Sequence, residues 1–202
     1  MPAITSIKPQ KNGKRVNIYL DGEYGFGLDL ENFVKLGLKV EQELTDEEIE
    51  KITKKAEFQK VYDKILRFAS LRPRSEKEYI GWLRKHKVHE KLHEELFNKL
   101  KYLEFLNDKK FAVWWIGQRQ AFRPKSKRIL SQELRLKGIK REIIDEVLSE
   151  TKLDELGTAK KLLAKKKYLW EKLNSREKRV KMSNYLVRNG FGWDVIREVL
   201  DM

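Results

Sequence analysis

The amino-acid sequence predicts a mainly α-helical protein in which three tandem three-helix repeats follow a small antiparallel β meander. The clearest observation is a segment that occurs twice. Residues 72–75 read Arg-Pro-Arg-Ser and residues 123–126 read Arg-Pro-Lys-Ser, 51 positions later. Apolar residues recur at the same spacing, and a fixed period over several apolar positions indicates a repeat array. The matched positions are Leu83 with Leu134, Val88 with Ile139, Leu92 with Ile143 and Leu96 with Val147.

Three short β-strands are expected at the N-terminus. Residues 3–8, 15–20 and 23–28 have strand character, and apolar residues alternate with other residues along the second segment. Asn12-Gly13 favours a hairpin turn, and Asp21-Gly22 marks a second turn. A meander of this size is stable only if it packs on helices.

Two helices are expected next. A short helix over residues 30–35 should end at Gly37, and a long helix should follow Thr45 and continue with little break towards Leu71. Thr45 is the predicted N-cap of the long helix, with Glu48 completing a capping box.

The rest of the chain is expected to be helical, with three helices in each repeat. Pro73 and Pro124 end the first helix of a repeat, because proline interrupts helical hydrogen bonding. Ser75 and Ser126 are the predicted caps of the second helix, and Gly138 should close that helix in a left-handed conformation. The predicted modules are residues 1–57 (meander plus helix), 58–106, 107–153 and 154–202 (three repeats).

Further expectations concern the first repeat and the repeat cores. Ser75 should form a capping box with Glu78, and the third helix should start near His89. Apolar residues at helical spacing are expected to form the cores. They are Val61, Ile65, Leu66, Phe68 or Ala69, Leu92, Leu96, Leu100 and Leu103 in the first repeat, and Phe111, Ala112, Trp115, Ile116, Leu130, Leu134, Ile139, Ile143, Val147 and Leu148 in the second.

A weaker third copy ends the chain. Residues 186–191 resemble residues 134–139 at an offset of 52, whereas Ala159 matches Ala112 at an offset of 47. The third copy therefore carries five extra residues between its first two helices. We expect these residues in a loop near residues 172–178. Three copies are about the minimum that a stacked array needs to bury its faces.

The formal net charge of +14 arises in the repeats. Residues 1–57 hold 9 Lys+Arg and 11 Asp+Glu, whereas residues 58–202 hold 36 and 20. This asymmetry favours a polyanionic partner, either nucleic acid or an acidic or nucleic-acid-bound protein surface. An ordinary solvated surface is the alternative. The Lys/Glu-rich composition also fits a heat-adapted chain.

Several classes of site are excluded or disfavoured by composition. The chain has no cysteine, which excludes disulfides and thiolate metal sites. The N-terminus lacks the apolar core of a signal peptide, and no apolar run approaches the length of a membrane span. We therefore expect a cytoplasmic protein that makes no membrane contact and binds no cofactor. The glycines of residues 22–27 lack the Lys-Ser/Thr of a phosphate loop and are expected to serve a hairpin.

Residues 89–93, His-Glu-Lys-Leu-His, match the HExxH pattern that can bind zinc and supply a general base. The repeat register argues against an enzyme, because it places His93 at the apolar positions of Ile144 and Ile196. We therefore expect His93 to be a helix-packing residue. A zinc hydrolase is the alternative.

Basic residues recur at the proline corner of successive repeats, and such repetition would place a stripe of positive charge along an array. Solvated helix faces are the alternative. Trp114 and Trp115 lie about 100° apart on a helix and cannot both point into one core, so one of them is a candidate contact aromatic. The candidate partner-binding residues are Arg72, Arg74, Arg123, Lys125, Lys127, Arg128, Lys165, Lys166 and Lys167.

The ordered set of motifs resembles the RecX family. Residues 108–119 read Asp-x-x-Phe-Ala-x-x-Trp-x-x-x-Arg, residues 133–139 read Glu-Leu-x-x-Lys-Gly-Ile, and residues 186–191 read Leu-x-Arg-x-Gly-Phe. With the corner at residues 72–75, the likeness covers roughly residues 58–202, and the meander is an extension of it. The resemblance implies three three-helix repeats in an elongated, curved array without catalytic residues.

The resemblance also implies a function. RecX proteins regulate the recombinase RecA, usually as inhibitors, and lie in the groove of its filament on single-stranded DNA. There they restrain strand exchange, ATP hydrolysis and repressor cleavage. The expected partners are thus the RecA filament and single- or double-stranded DNA, bound by a monomer. The alternative is a helical-repeat protein that binds nucleic acid directly. The resemblance explains neither the five extra residues nor residues 89–93.

Overall fold

The computed structural model describes residues 1–11 and 13–200. Asn12 of the predicted turn and the last two residues of the predicted third repeat lie outside the described residues. The chain divides into two compact units, one of residues 1–71 with 88–96 and the other of residues 72–87 with 97 onwards. The described part is mainly α-helical and begins with a three-stranded antiparallel sheet, as the sequence predicts.

The first unit begins with three antiparallel strands in the order β1-β2-β3. Successive side chains of a strand point to opposite faces, so the alternating apolar residues of β2 give the sheet one buried face. The elements are β1 (Ile4–Pro9), β2 (Arg15–Leu20), β3 (Glu23–Asp29), α1 (Leu30–Leu36) and α2 (Asp46–Ser70). Their buried core comprises Ile4, Val16, Ile18, Phe26, Leu28, Leu38, Leu44, Ile52 and Ala56.

Local signals set the ends of the helices in this unit. Gly37 closes α1 with a φ of 61°, in the left-handed region. The Thr45 hydroxyl accepts a hydrogen bond from the Glu48 N–H at 3.2 Å, and the Glu48 carboxylate accepts one from the Thr45 N–H at 2.8 Å. The predicted capping box is therefore confirmed. The long helix α2 continues without a break past Phe58, and the division of the chain at that residue stays a prediction.

The repeats follow, and α4 crosses from the first unit into the second. The side chains of Ser75 and Ser126 cap α3 and α6 by accepting hydrogen bonds from backbone N–H groups, as predicted. The helices are α3 (Glu76–Lys85), α4 (His93–Tyr102), α5 (Asp108–Phe122), α6 (Lys127–Leu136), α7 (Arg141–Glu150), α8 (Glu155–Ala164), α9 (Ser175–Arg188) and α10 (Trp193–Leu200).

The second and third repeats each have an apolar core. Leu130 and Leu134 are fully buried, as their helical spacing predicts, whereas Trp115 and Ile143 are only partly buried at the edge of the core. The second-repeat core comprises Phe111, Ala112, Ile116, Leu130, Leu134, Ile139, Ile144, Val147 and Leu148. The third-repeat core comprises Ala159, Leu163, Trp170, Leu186, Phe191 and Ile196.

Successive repeats are joined where the second helix of one repeat begins and the second helix of the next one ends. The Ser126 hydroxyl at the start of α6 donates a hydrogen bond to the Asn189 carbonyl, after the end of α9, at 2.8 Å. The Lys77 ammonium near the start of α3 donates to the Leu136 carbonyl, at the end of α6, at 3.1 Å. At both junctions, therefore, a side chain near the start of one second helix donates to a backbone carbonyl at or just after the end of the next one.

A carboxylate from the following repeat also contacts each of these helix starts. Asp108, the first residue of α5, accepts a hydrogen bond from the Glu76 N–H at 2.9 Å, and Glu155, the first residue of α8, accepts one from the Lys127 N–H at 2.9 Å. Burial raises the pKa of Asp108, although the hydrogen bond from Glu76 opposes the shift. The junctions thus satisfy helix N–H groups that have no acceptor within their own helix.

The second residue after the end of the second helix has left-handed backbone in all three repeats, with φ of 51° at Lys87, 85° at Gly138 and 81° at Gly190. A Cβ atom at Gly138 would lie 2.8 Å from Lys77, and one at Gly190 would lie 2.6 Å from the Ser126 hydroxyl. Lys87 is exposed. Glycine is therefore needed where the preceding repeat packs against this residue, and the first repeat accommodates lysine.

The expectation that the extra residues of the third repeat form a loop at residues 172–178 is only partly right. A connection precedes α9, but α9 begins at Ser175 and has 14 residues, whereas α6 has 10. Lys178, which corresponds to Ser126 in the repeat register, lies within α9 and donates its N–H to the Asn174 carbonyl at 2.9 Å. Most of the insertion therefore adds a turn to α9, because Asn174 supplies a new N-cap.

The third helix of the first repeat also differs from expectation. A 3-10 turn covers Glu90–Leu92, and the α-helix begins only at His93 and ends at Tyr102. Leu103 lies beyond the helix and is 42% exposed, so it is not a core residue.

Within residues 1–11 and 13–200, no helix has both the length and the apolarity needed to cross a lipid bilayer.

Candidate partner-binding surface

The site is built around two adjacent tryptophans on α5. Trp114 and Trp115 are both half-buried, and their ring centroids lie 5.9 and 5.8 Å from that of Phe111 in the second-repeat core. The two indole rings meet edge to face at 6.2 Å. Both tryptophans are thus anchored on one side and leave ring surface at the edge of the repeat, so each contributes to the core and to the surface.

Trp115 is held in place by polar contacts on several sides. Its indole N–H donates to the Glu133 carboxylate at 2.9 Å, and the Arg119 side chain donates to the same oxygen at 2.7 Å. The Arg119 guanidinium lies 4.4 Å and the Lys137 ammonium 4.9 Å from the centroid of the Trp115 ring. Such cation–π contacts and the shared carboxylate fix the indole, so Trp115 is a supporting residue of this surface.

Glu78 joins the first repeat to the second at the same place. Its carboxylate accepts hydrogen bonds from Arg72 at 2.9 and 3.1 Å and from Lys137 at 2.9 Å. Burial opposes ionisation of Glu78, but these hydrogen bonds outweigh it and hold the pKa of the carboxyl below its ordinary value.

The predicted capping box with Ser75 is therefore wrong, because only the Ser75 half of it forms. The Glu78 carboxylate binds two cations instead.

An open pocket of about 230 Å³ lies beside the tryptophans. Phe122, the last residue of α5, is 75% exposed at its rim, and the Arg72 guanidinium lies 5.5 Å from the centroid of the Trp114 ring. The pocket therefore combines aromatic surface with guanidinium groups. Its lining residues are Trp114, Trp115, Gln118, Arg119, Phe122 and Arg123.

The second-repeat corner is split between structural and exposed residues. The Lys125 ammonium donates to the Asn189 side-chain oxygen at 3.4 Å, so Lys125 takes part in the junction with the third repeat. Arg123, Lys127 and Arg128 are exposed. Only these three corner residues present their charge fully to solvent.

The remaining candidates are dispersed. Arg74 is half-buried, and burial together with the nearby Arg72 lowers its pKa. Lys165, Lys166 and Lys167 follow α8 and are exposed. Lys165 lines a groove of about 400 Å³ together with Pro124 of the second-repeat corner, whereas Lys166 and Lys167 do not line it.

Five residues of the site were not among the candidate partner-binding residues predicted from the sequence: Arg119, Phe122 and Lys137, with the carboxylates of Glu78 and Glu133. Phe122 could have been found, because Trp114, Gln118 and Phe122 are spaced i, i+4 and i+8 and share one helix face. The carboxylates carried no such signal, since their cationic partners lie on other elements.

The HExxH segment does not form a zinc-binding helix. His89 precedes the 3-10 turn and accepts a hydrogen bond from the Lys91 N–H at 3.2 Å, while a ring nitrogen of His93 lies 3.1 Å from the Val88 carbonyl oxygen. The two histidines are therefore not on successive turns of one α-helix. His93 is half-buried. No cluster of three or more His, Cys, Asp or Glu side chains suited to a metal ion occurs in residues 1–11 and 13–200.

The sequence matches known protein families along most of its length. Residues 2–45 match the regulatory protein RecX N-terminal domain, residues 107–148 the second three-helix domain of RecX, and residues 154–200 the third. Regulatory protein RecX of Bacillus licheniformis is 36% identical over 206 residues, which cover 99% of this chain and 77% of that protein. Regulatory protein RecX of Bacillus subtilis is 35% identical over 207 residues, with 100% and 77% covered.

Solved structures agree with these matches. A crystal structure of regulatory protein RecX superposes with a TM-score of 0.75 at 27% identity and covers all of both chains. A crystal structure of RecX from Lactobacillus salivarius has a TM-score of 0.64 at 26% identity, with 72% of this chain and 95% of that chain covered.

Proposed function

Because the chain belongs to the RecX family, we propose that it binds RecA and the RecA filament on single-stranded DNA. In this role it modulates, mostly by inhibition, the recombinase, ATPase and coprotease activities of RecA, and so regulates DNA repair and the SOS response. It acts as a binding protein in the cytoplasm and not as an enzyme. The four predicted modules form the scaffold that presents its binding residues.

The observation that carries the proposal is the exposed basic corner at the start of α6. Arg123, Lys127 and Arg128 are exposed and lie outside the ion pairs that hold Arg72 and Arg119. Cations that are not held in these ion pairs can bind a groove lined by acidic protein and phosphates. Their charge attracts the partner, and the packed repeat holds the cations in position. Lys165, which lines a groove together with Pro124 of this corner, adds an exposed cation from the third repeat.

The test is a titration of RecA with this protein while DNA-dependent ATP hydrolysis is measured at low salt. We expect the rate to fall at equal or lower amounts of the protein than of RecA. An unchanged rate at low salt would exclude the proposal. Raising the salt concentration should weaken the inhibition, because salt screens exposed charges.

A charge-reversed variant tests the basic corner. Arg123→Glu, Lys127→Glu and Arg128→Glu together should weaken inhibition while the circular dichroism spectrum stays unchanged. The matched control reverses three exposed lysines elsewhere, Lys51→Glu, Lys55→Glu and Lys101→Glu, which changes the net charge equally. Equal effects of the two variants would show that overall charge, and not the corner, determines binding.

A second candidate function is direct binding of nucleic acid, which the net charge of +14 favours. This function predicts tight binding to bare DNA without RecA, with an affinity that falls steeply as salt increases. Fluorescence anisotropy with a labelled oligonucleotide measures it. Absence of binding at low salt would exclude this candidate and leave the first one intact.

A further inference from the structure

We propose that the pocket formed by Trp114 and Phe122 binds an unpaired nucleobase by stacking, and that Arg123 holds the adjoining phosphate. The inference rests on the proposed function, in that it assigns one contact of the protein with single-stranded DNA to named residues. It adds a base-binding site beside the basic corner at the start of α6.

The geometry of α5 places the required groups together. Trp114, Gln118 and Phe122 occur at i, i+4 and i+8, so their side chains follow one another along a single face of the helix. All three line the same open pocket of about 230 Å³. Two aromatic rings supply faces on which a base can stack, and the Gln118 amide supplies a donor and an acceptor for a base edge.

The wall behind these residues is fixed before any ligand arrives. Trp115 and Arg119 share the Glu133 carboxylate, with hydrogen bonds of 2.9 and 2.7 Å. The Arg72 guanidinium beside the Trp114 ring is held by Glu78 at 2.9 Å. A ligand therefore meets a wall that needs no rearrangement, which lowers the entropic cost of binding.

The same ion pairs indicate a base and not an acidic side chain as the ligand. Arg72 and Arg119 already bind carboxylates, so a further carboxylate in the pocket would gain little from them and would face Glu78 and Glu133. The Phe122 ring remains available for stacking, because this side chain is 75% exposed. Every nucleobase has a π-face, so such a site accepts single strands with little sequence preference.

Phosphate contacts can form directly beside the pocket. Arg123 lines it and follows Phe122 in the chain, while Lys127 and Arg128 lie on the first turn of α6 and are exposed. A strand with one base against Phe122 therefore has cations available for its backbone. This arrangement of an aromatic platform beside a basic track is typical of proteins that bind single-stranded nucleic acid.

The experiment compares two labelled oligonucleotides of equal length and charge, oligo(dT) and an abasic strand, by fluorescence anisotropy with the full chain at low salt. The wild-type protein should bind oligo(dT) about five- to tenfold more tightly, which is the lower range for one stacked base. Phe122→Ala should lose most of this preference while keeping its affinity for the abasic strand. Phe122→Tyr should retain the preference, because the ring remains.

The matched control is Tyr102→Ala, which removes an 87% exposed aromatic at the end of α4 and should leave the preference unchanged. A wild-type protein that binds neither strand, or both equally, would overturn the inference. So would a Phe122→Ala protein that keeps the preference for oligo(dT). If Phe122→Ala weakens inhibition of RecA but leaves the preference intact, the pocket takes a protein side chain, which also overturns it.

The RecA titration with the wild-type protein distinguishes failure of this inference from failure of the proposed function, because it measures inhibition of RecA and not the preference between the two oligonucleotides. Circular dichroism of each variant checks that the helices remain folded. Since Phe122 is at the rim and largely exposed, its replacement should leave the helical signal unchanged.

Discussion

Replacing Gly190 by alanine should disrupt the junction between the second and third repeats. Gly190 has a φ of 81°, and an added Cβ would lie 2.6 Å from the Ser126 hydroxyl and 2.7 Å from a side-chain carbon of Ile129. Both distances are shorter than non-bonded contact allows. The methyl group therefore meets the start of α6 at the point where Ser126 donates its hydrogen bond to Asn189.

The expected loss of stability has three parts. Left-handed backbone costs a residue with a Cβ about 1–2 kcal/mol. Overpacking against Ser126 and Ile129 costs about 1–3 kcal/mol, and a weakened hydrogen bond between Ser126 and Asn189 about 0.5–1.5 kcal/mol. Because relief of one strain reduces the others, we expect a total of about 2–5 kcal/mol.

Gly37→Ala is the matched control. Gly37 also has left-handed backbone, with a φ of 61°, but no atom lies within 4 Å of the position of an added Cβ. The free energy of unfolding of this variant should fall only by the cost of left-handed backbone, about 1–2 kcal/mol. The difference between the two variants isolates the crowding at the junction.

Urea denaturation followed by circular dichroism measures both variants, and hydrogen exchange shows which helices lose protection. For Gly190→Ala we expect faster exchange in α6 and α9. If Gly190→Ala loses no more stability than Gly37→Ala, the added methyl group is accommodated freely and the junction does not determine the need for glycine.

Two further substitutions test the core and the ion-pair network. Leu134→Ala should lower the free energy of unfolding by about 2–5 kcal/mol, because Leu134 is fully buried; Leu136→Ala on the same helix, at a 74% exposed position, should change it by less than about 0.5 kcal/mol. Comparable losses in urea denaturation would contradict this placement of the core. Glu78→Gln should cost about 1–2 kcal/mol at pH 7. The pKa of Glu78 is lowered in the folded protein, so its contribution is present above the unfolded pKa of about 4.3 and is lost as the pH falls through the lower, folded pKa. A difference between wild type and variant that stays constant from pH 7 to pH 3 would rule out this role of the Glu78 charge.

Much of the fold could be predicted from the sequence because its signals are local. Thr45 with Glu48 marks the start of α2, Gly37 marks the end of α1, and Ser126 marks the start of α6. In each case the residues that form the cap lie within four positions of one another. The repeat spacing then placed Leu134 and its counterparts in the cores, since an apolar position that recurs with the period is one that packing requires.

The remaining features depend on partners distant in the chain. Ser75 and Glu78 have the spacing of a capping box, yet the Glu78 carboxylate binds Arg72 and Lys137. Lys137 is 59 residues away, so no local pattern reveals this competition. For the same reason the sequence shows that Arg72 belongs to a basic corner that recurs in the next repeat, but it does not show that Arg72 forms an ion pair with Glu78.

The sequence offset located the extra residues of the third repeat but not their conformation. An insertion between two helices can form a loop or lengthen a helix, and the choice depends on the cap. Asn174 accepts a hydrogen bond from the Glu177 N–H at 2.9 Å and so begins α9 four residues before Lys178, the counterpart of Ser126. A side-chain cap earlier in the chain therefore decided the outcome.

The added turn of α9 also changes what the third repeat offers to a neighbouring repeat. A fourth repeat would need the free N–H groups and the serine hydroxyl that α6 offers to the third. At the corresponding place α9 has Lys178, whose N–H is bonded within its own helix. A further repeat could therefore not dock on α9 through the contacts that join the third repeat to the second.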